Sequence, residues 1–457
     1  MRDVAFLVFL AGLLAFGLKR PFLFVLAYVY VDTVSPQRLS YFLLNSIPLS
    51  MIIALLAMGG WALFDRKDQL GFTARQGLLV ILLAYAGVTT MNADFPIDAL
   101  EKWDWAWKTL VFAIFLPFTL RTKLRIEAVL LFLTLSAASI IIVGGIKTAL
   151  GGGGYGVLNL MVDNNSGLYE SSTISTVAIA LIPIILWLTR FGTIFPSDWR
   201  VKLFSAGLIF ACLLMPIGTE ARTGLVCIAV LAMLMLRDAK RRFLYVAGAG
   251  LLGLAAIPFL PSTFSNRMGT MQELQADESA GTRLAVWAWT WDYAQHHPFG
   301  GGFGAYRSNR ILVQTVNTQS NGDVQVVTAQ VQADEARAYH SAYFEMLGEQ
   351  GFPGLLLFLL IQGIGLVRME MIRRRYRRQT DEGVAWIAPL ATALQHFQII
   401  YMVGELFVGI AYQSFGWLVF AVQIGFDTWL ARKERAERKA GAGFGPRVPI
   451  GPTLSTH

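Results

Sequence analysis

The side chains best suited to chemistry in this 457-residue chain are one histidine and three arginines. His340 lies in a long polar segment between Pro261 and Gly351 and is a candidate general base, because imidazole titrates near neutral pH. A planar guanidinium offers paired donors to phosphate oxygens, so the candidates for binding a diphosphate are Arg222, Arg283 and Arg307. Together these residues indicate chemistry on an anionic substrate that carries a diphosphate.

Each of these residues also has an ordinary structural role. Arg222 could cap a helix end, although it falls on the side of the membrane where positive residues are scarce. Arg283 and Arg307 could lie on a solvated helix face or pair with nearby acids. His296 and His297 precede a proline in a turn and make a weak metal signal. A single histidine is most often structural as well, so its value depends on its neighbours.

Aromatic and amide side chains near these residues could contact a sugar. Trp287, Trp291 and Tyr343 are candidates, and Asn165 follows a glycine-rich loop that could line a cleft. For the tryptophans, an interfacial belt is the commoner role and the one we favour. No cluster of carboxylates or of His and Cys predicts a metal site, and no glycine-rich turn predicts a nucleotide site, so we expect neither a metal nor a cofactor.

These residues must be positioned by membrane helices, because the chain is 55% hydrophobic and only 15% charged. The predicted fold class is an all-α polytopic membrane protein of about 12 transmembrane helices with one large helical loop region on the outer face. Lys19, Arg20 and Pro21 split 4–36 into either two short spans or a shallow hairpin. The apolar stretches are 4–18, 22–36, 47–64, 77–90, 107–120, 127–146, 173–190, 203–218, 223–236, 243–260, 352–370, 384–402 and 407–430.

The distribution of Lys and Arg predicts the orientation, because positive loops resist translocation. Alternate basic loops are assigned to the cytoplasm, which leaves 262–351 on the outer face. The predicted organisation is 1–261 transmembrane helices with short loops, 262–351 the large outer loop carrying the active site, 352–432 C-terminal transmembrane helices, and 433–457 a cytoplasmic tail predicted to be disordered. The net charge of +8 reflects topology and contact with anionic membrane lipids, and it does not indicate nucleic-acid binding.

Two helices are predicted within the large loop. Apolar spacing predicts a helix over 278–296, which the glycines at 300–304 end. A second helix is predicted from near Asp334, through His340, to Gly351. This would place the histidine on a short helix leading down to the membrane surface, at the level of the head group of a lipid-linked substrate.

Three motifs surround the candidate residues: the turn GTEARTG with Arg222, the run 282–304 that ends in PFGGGFG, and the run 340–354 with GEQGFPG. By these motifs the chain resembles the O-antigen ligase family, membrane glycosyltransferases of the bacterial inner membrane. The turn departs from the Ser-Arg-Gly usual in that family, and Ser341 stands where the family has Asn. The sequence 18–38 resembles a subgroup of O-glycosylation ligases associated with exosortase systems.

The resemblance implies substrates, a location and residue roles. In the family, the donor is a glycan on undecaprenyl diphosphate and the acceptor is the sugar end of lipid A-core. Their transfer takes place on the periplasmic face of the Gram-negative inner membrane, so the large loop would be periplasmic. Carried over, Arg222 and Arg283 bind the leaving diphosphate, with Arg307 a further candidate. His340 then activates the acceptor hydroxyl in a metal-independent, inverting transfer.

Other functions stay open on the motifs alone. An O-antigen polymerase or a protein O-oligosaccharide ligase would use the same donor with another acceptor. A flippase or exporter of lipid-linked glycan should place ionisable residues deep in several spans, whereas the predicted spans are nearly free of charge, with Glu405 among the exceptions. A scaffold for polysaccharide assembly would tolerate replacement of His340.

Overall fold

The chain folds as a bundle of helices with a β-hairpin, in a computed structural model that describes residues 2–40, 44, 47–67, 71–151, 167–237, 278–321 and 324–442. The helices are α1 (Arg2–Lys19), α2 (Phe22–Val34), α3 (Pro36–Leu39), α4 (Leu49–Phe64), α5 (Ala74–Met91), α6 (Pro96–Thr119), α7 (Lys123–Gly151), α8 (Ser171–Phe191), α9 (Trp199–Gly218), α10 (Arg222–Leu236), α11 (Glu278–His296), α12 (Ala342–Tyr376), α13 (Ile387–Glu405) and α14 (Ser414–Ala442). The strands are β1 (Arg310–Asn321) and β2 (Val324–Glu335). Short 3₁₀ helices lie at Gly167–Tyr169 and Ala305–Ser308.

Several of the described helices are long and apolar enough to cross a membrane. By length and composition these are the 5 helices Ala74–Met91, Lys123–Leu150, Ser171–Phe191, Trp199–Gly218 and Ala342–Tyr376. Shorter apolar helices lie at Phe22–Val34, Leu49–Phe64 and Arg222–Leu236. These helices agree with the predicted all-α membrane class. The count of about 12 crossings and the periplasmic side of the large loop stay predictions, and the span expected at 243–260 lies outside the described residues.

The centre of the bundle is formed by α8 and α13, which pack against each other. In α8 every residue from 173 to 185 is buried, as expected for a helix that is apolar on all faces. Gly404 lets α13 approach α8 closely, because a Cβ at this position would lie 2.2 Å from Cγ2 of Thr176. Both α12 and α10 pack on α13, so the helix that follows His340 is anchored on the core of the bundle.

A kink divides α12 at the place where the sequence predicts a helix end. Gly351 has φ 63° and ψ −167°, a left-handed conformation that glycine adopts without steric cost, and Pro353 follows it. The first two turns of α12, residues 342–350, therefore run in their own direction before the apolar part begins. These two turns carry the residues nearest to His340 along the chain.

The large loop confirms one predicted helix and corrects the other. The helix predicted over 278–296 is present as α11 with the same bounds. The helix predicted to start near Asp334 is wrong there, because β1 and β2 form an antiparallel pair in which Arg310 lies opposite Glu335. Alternating β-branched residues on both sides of an Asn-Gly pair favour a hairpin over a helix. His340 consequently lies in the connection between β2 and α12, not on a helix.

Candidate active site

A cavity of about 890 Å³ brings distant parts of the chain together. Its lining combines residues of α2, α4 and α6 with residues of α11, of α12 and of the connection between β2 and α12. The predicted base His340 and the predicted diphosphate ligand Arg283 both line it. The structure therefore places two of the residues selected from the sequence in one site.

His340 faces this cavity from an unusual backbone position. Its φ of 49° lies in the left-handed region, where residues other than glycine are uncommon. Partial burial lowers the pKa of its imidazole below the ordinary value, and the positive charges of Arg283 and Arg337 lower this pKa further, against the opposing effect of Glu170. A neutral imidazole can accept a proton, so these surroundings suit a general base.

Trp287 anchors the chain beside His340. Its indole Nε1 donates a hydrogen bond to the carbonyl oxygen of Tyr339 at 2.9 Å. Its ring stacks on that of Phe344, with the centroids 5.0 Å apart and the planes 8° from parallel. Trp287 of α11 thus contacts both the connection that carries His340 and the first turn of α12. These contacts give Trp287 a positioning role, and its contact with a sugar stays a prediction.

The three predicted arginines occupy different surroundings. Arg283 of α11 lines the cavity together with His340. Arg222 is the first residue of α10 and is half-buried, outside the cavity lining formed by the described residues. Arg307 pairs with Asp98 through Nη2 and Oδ1 at 2.7 Å, with 44% of its side chain exposed, and it too lies outside this lining. Of the three arginines, Arg283 therefore shares the cavity with the candidate base.

The other predicted sugar contacts have neighbours outside the cavity lining. Trp291 is 53% exposed and meets Phe352 edge to face, with centroids 5.8 Å apart. The Tyr343 hydroxyl donates to the carbonyl oxygen of Met402 at 2.9 Å. Asn165 lies outside the described residues. The aromatic residues that do line the cavity include Trp105, Trp107, Tyr306 and Tyr339.

The glycine-rich run 298–304 and the segment 348–352 bind each other, and we call this pair of segments the glycine clasp. Gly302 N donates to the carbonyl oxygen of Glu349 at 2.9 Å, and further backbone bonds join the same two segments. Gly300, Gly302 and Gly304 have φ of 85°, 75° and 81°, values that favour glycine. Two motifs that are separate in the sequence therefore form one structure, which positions the first turns of α12.

Three charged residues that the sequence did not single out also line the cavity. They are Lys102, Glu345 and Glu349, and we call them the acidic triad. Lys102 Nζ lies 2.5 Å from Glu345 Oε1 and 2.7 Å from Glu349 Oε2. Glu349 also accepts a hydrogen bond from Gly304 N at 3.2 Å, which links the triad to the glycine clasp. Burial lowers the pKa of Lys102, but the two carboxylates raise it by more, so the ammonium group stays charged.

Comparison with known families now adds to this geometry. Residues 206–359 match the O-antigen ligase family, a stretch that contains Arg222, Arg283 and His340. Over residues 206–359 the chain is thus similar to the O-antigen ligase family, which confirms the resemblance seen in its motifs. Residues 1–193 match a family of unknown function (DUF5935). No curated protein matches the chain.

The cavity is built from both matched regions. Residues 206–359 supply His340 and Glu345, while residues 1–193 supply Arg38 and Lys102. The region of unknown function therefore forms part of the wall of the candidate site. Its relation to the exosortase-associated subgroup stays a prediction.

The remaining histidines of the described part have structural surroundings. His297 stacks on Tyr293 with the ring centroids 4.2 Å apart, and His296 Nδ1 lies 3.0 Å from the carbonyl oxygen of Asp292. His396 is buried in α13. Within the described ranges of the chain, no group of three or more His, Cys, Asp or Glu side chains is arranged to hold a metal ion. The histidine that opens into the cavity is His340.

Proposed function

We propose that this protein is an O-antigen ligase, an inverting glycosyltransferase that moves a glycan from undecaprenyl diphosphate to a sugar hydroxyl of lipid A-core at the periplasmic face of the inner membrane. The observation that carries the proposal is that His340 and Arg283 line one cavity and that the charge of Arg283 acts on the imidazole. A base beside a cation is what displacement of a diphosphate by a hydroxyl group requires.

In the proposed reaction His340 takes the proton of the acceptor hydroxyl while the acceptor oxygen attacks C1 of the donor sugar. The bond between C1 and the diphosphate oxygen breaks, and its electron pair leaves with the diphosphate. The new glycosidic bond forms on the opposite face, which inverts the anomeric centre. The imidazolium then releases its proton to the leaving diphosphate or to water. A positioned base of this kind contributes about 10² to 10⁴ in rate.

Charge on the departing diphosphate is neutralised by arginine in this proposal. Arg283 is the primary ligand, because it shares the cavity with His340. Arg222 is proposed as a second ligand on the strength of its place in the family match. Arg307 is the weakest candidate, because its guanidinium is already paired with Asp98. Guanidinium groups would then do the work of a divalent cation, and a chelator should leave the rate unchanged.

The alternatives share the donor and differ in the outcome. An O-antigen polymerase would attach the glycan to a second lipid-linked repeat, and a protein ligase would attach it to a polypeptide. A flippase or exporter would move the donor lipid without breaking the bond to diphosphate. The arrangement of a base beside a guanidinium favours bond breaking over transport. The identity of the product separates all of these.

The proposal is tested with the full-length protein purified in detergent, undecaprenyl-diphosphate-linked glycan and lipid A-core, in buffer containing EDTA. The variants are His340→Ala, Arg283→Ala and Arg222→Ala. Two exposed residues outside the cavity lining serve as matched controls, His296→Ala and Arg310→Ala. We expect transfer by the wild type and both controls, and a loss of about 10² or more for His340→Ala.

The product that forms distinguishes the candidate functions. Glycan on lipid A-core, formed without metal and lost in His340→Ala, supports the ligase. Longer glycan on the donor lipid would instead show a polymerase. Movement of the donor across liposome membranes without any new bond would show a transporter. Transfer at the wild-type rate by His340→Ala would show that His340 is not the general base.

A further inference from the structure

We infer that Glu170 is a positioning residue for His340, and that its carboxylate stabilises the positive charge which the imidazole gains when it takes the acceptor proton. This inference rests on the proposed glycosyl transfer. Glu170 and His340 line the same cavity, together with Arg283. Glu170 lies within residues 1–193, which match the family of unknown function, so this region would take part in the chemistry as well as form part of the wall.

The carboxylate of Glu170 is held in one position at the start of α8. Its Oε1 accepts a hydrogen bond from Ser172 N at 3.0 Å, and its Oε2 accepts from Thr173 N at 2.6 Å and from Thr173 Oγ1 at 2.7 Å. The preceding residue is also fixed, because the Tyr169 hydroxyl donates to the carbonyl oxygen of Val34 at 2.5 Å. Since α8 is the buried centre of the bundle, these contacts fix a negative charge at the wall of the cavity.

Capping of α8 does not by itself require a glutamate. The side chains preferred at this position of a helix are the shorter Ser, Thr, Asp and Asn. Asp198 is such a residue, since its Oδ1 accepts from Val201 N at 2.8 Å at the start of α9. Asp198 is exposed and lies outside the cavity lining formed by the described residues, whereas Glu170 combines the cap with a charge at the cavity wall. A comparison of the two residues therefore separates helix capping from an effect on the site.

Three charged residues in the described part of the chain act on the imidazole of His340. Burial lowers its pKa, the positive charge of Arg283 lowers it further, Glu170 raises it, and Arg337 lowers it. Near two guanidinium groups an imidazolium is unfavourable, because like charges repel. The carboxylate offsets this repulsion as the imidazole gains its proton, so it favours the transition state for proton transfer over the ground state. The arginines thus keep His340 neutral before the reaction, and Glu170 eases its uptake of the proton.

The other charged residues of the cavity lining have partners of opposite sign. The acidic triad is joined by its own ion pairs. Lys108 Nζ lies 2.9 Å from Asp104 Oδ1, and the charge of Arg38 acts on Asp32. Among the described residues, Glu170 is thus the carboxylate whose charge acts on the imidazole.

The first measurement follows the charge of His340 without any substrate. Diethyl pyrocarbonate acylates neutral imidazole, and His340 is exposed to the reagent. Its labelling rate is measured against pH in the full-length protein in detergent, by mass spectrometry of the peptide that contains His340. The variants are Glu170→Gln, which keeps the length of the side chain, and Glu170→Ser, which keeps a preferred helix cap. Asp198→Asn is the matched control, because it neutralises the cap of α9.

The same proteins are assayed for glycan transfer and for the midpoint of unfolding. We expect the pKa of His340 in labelling, and the acid limb of kcat/KM, to move to lower pH in both Glu170 variants, because loss of a negative charge disfavours the imidazolium. Their kcat should fall about two- to fivefold without a rise in the donor KM. Asp198→Asn should keep the wild-type profile.

Labelling distinguishes this role from that of a helix cap alone. A lower unfolding midpoint in the Glu170 variants with the wild-type labelling profile would reduce Glu170 to a cap and overturn the inference, as would an equal change in Asp198→Asn. If the labelling profile depends on Glu170 but the wild type transfers no glycan, the proposed function is overturned and the electrostatic effect of Glu170 on His340 stands. Glycan transfer with a labelling profile that does not depend on Glu170 would overturn the inference alone.

Discussion

Replacing Gly302 by alanine should destabilise the protein more than the same change at Gly304, although both glycines lie in the glycine clasp. At Gly302 the φ of 75° is unfavourable for alanine, and the new Cβ would lie 2.4 Å from Cβ of Ala93 and 2.7 Å from the carbonyl oxygen of Thr89. The left-handed backbone costs roughly 1–2 kcal/mol, and overpacking adds about 1–3 kcal/mol. The total expected loss is about 2–5 kcal/mol.

At Gly304 the backbone cost is the same but the steric cost is small. Its φ is 81°, and the nearest atom to an added Cβ is Cβ of Asp98 at 3.2 Å. The expected loss is therefore about 1–2 kcal/mol. Gly281→Ala is the matched control, because nothing lies within 4 Å of a Cβ at this position in the first turn of α11 and alanine favours the helix.

The assay is reversible unfolding of the full-length protein by SDS in mixed detergent micelles. We expect the free energy of unfolding to fall most in Gly302→Ala, less in Gly304→Ala, and not at all in Gly281→Ala. Equal losses of unfolding free energy at the two clasp glycines, or a larger loss at Gly304, would contradict this reasoning. They would show that Ala93 and Thr89 do not pack closely against Gly302.

Three further predictions concern single contacts. Trp287→Phe should lose about 0.5–1.5 kcal/mol of stability and lower kcat, because the bond to the Tyr339 carbonyl disappears; Trp291→Phe, measured alongside in unfolding and transfer assays, should keep kcat. Arg307→Ala should cost at most about 1 kcal/mol and leave the donor KM unchanged, because its ion pair with Asp98 is partly exposed; a raised KM would make Arg307 a diphosphate ligand. Gly365→Ala should lose about 1–3 kcal/mol in SDS unfolding, because its Cβ would lie 2.7 Å from Nη2 of the buried Arg75, whereas Gly363→Ala should be tolerated.

Local patterns in the sequence were sufficient for part of the fold. The helix over 278–296 follows from apolar spacing ended by glycines, and the structure contains it with the same bounds. The pairing of β1 with β2 was not predicted, although alternating β-branched residues around an Asn-Gly pair signal a hairpin. The second predicted helix does exist, but it begins at Ala342. The prediction started it near Asp334 and so included His340 and the end of β2.

In the candidate site, too, some residues could be predicted from local sequence and others only from long-range packing. His340 and Arg283 could be selected from residue type and motif. Lys102 could not, because its partner Glu345 lies 243 residues away and no local pattern links α6 to α12. The i, i+4 spacing of Glu345 and Glu349 is a local signal, but such pairs are common on solvated helices. Long-range packing alone shows that these carboxylates are buried around one ammonium group.

The most direct test of the central claim is the pH dependence of kcat/KM for glycan transfer by the wild type and by Arg283→Gln. A general base must be neutral, so activity should fall as pH drops through the pKa of His340, which burial and Arg283 hold below its ordinary value. We predict an acid limb at a pH below the ordinary pKa of histidine in the wild type, moved to higher pH in Arg283→Gln because a positive charge is lost. An acid limb at the same pH in both proteins, or one that persists in His340→Ala, would contradict the account.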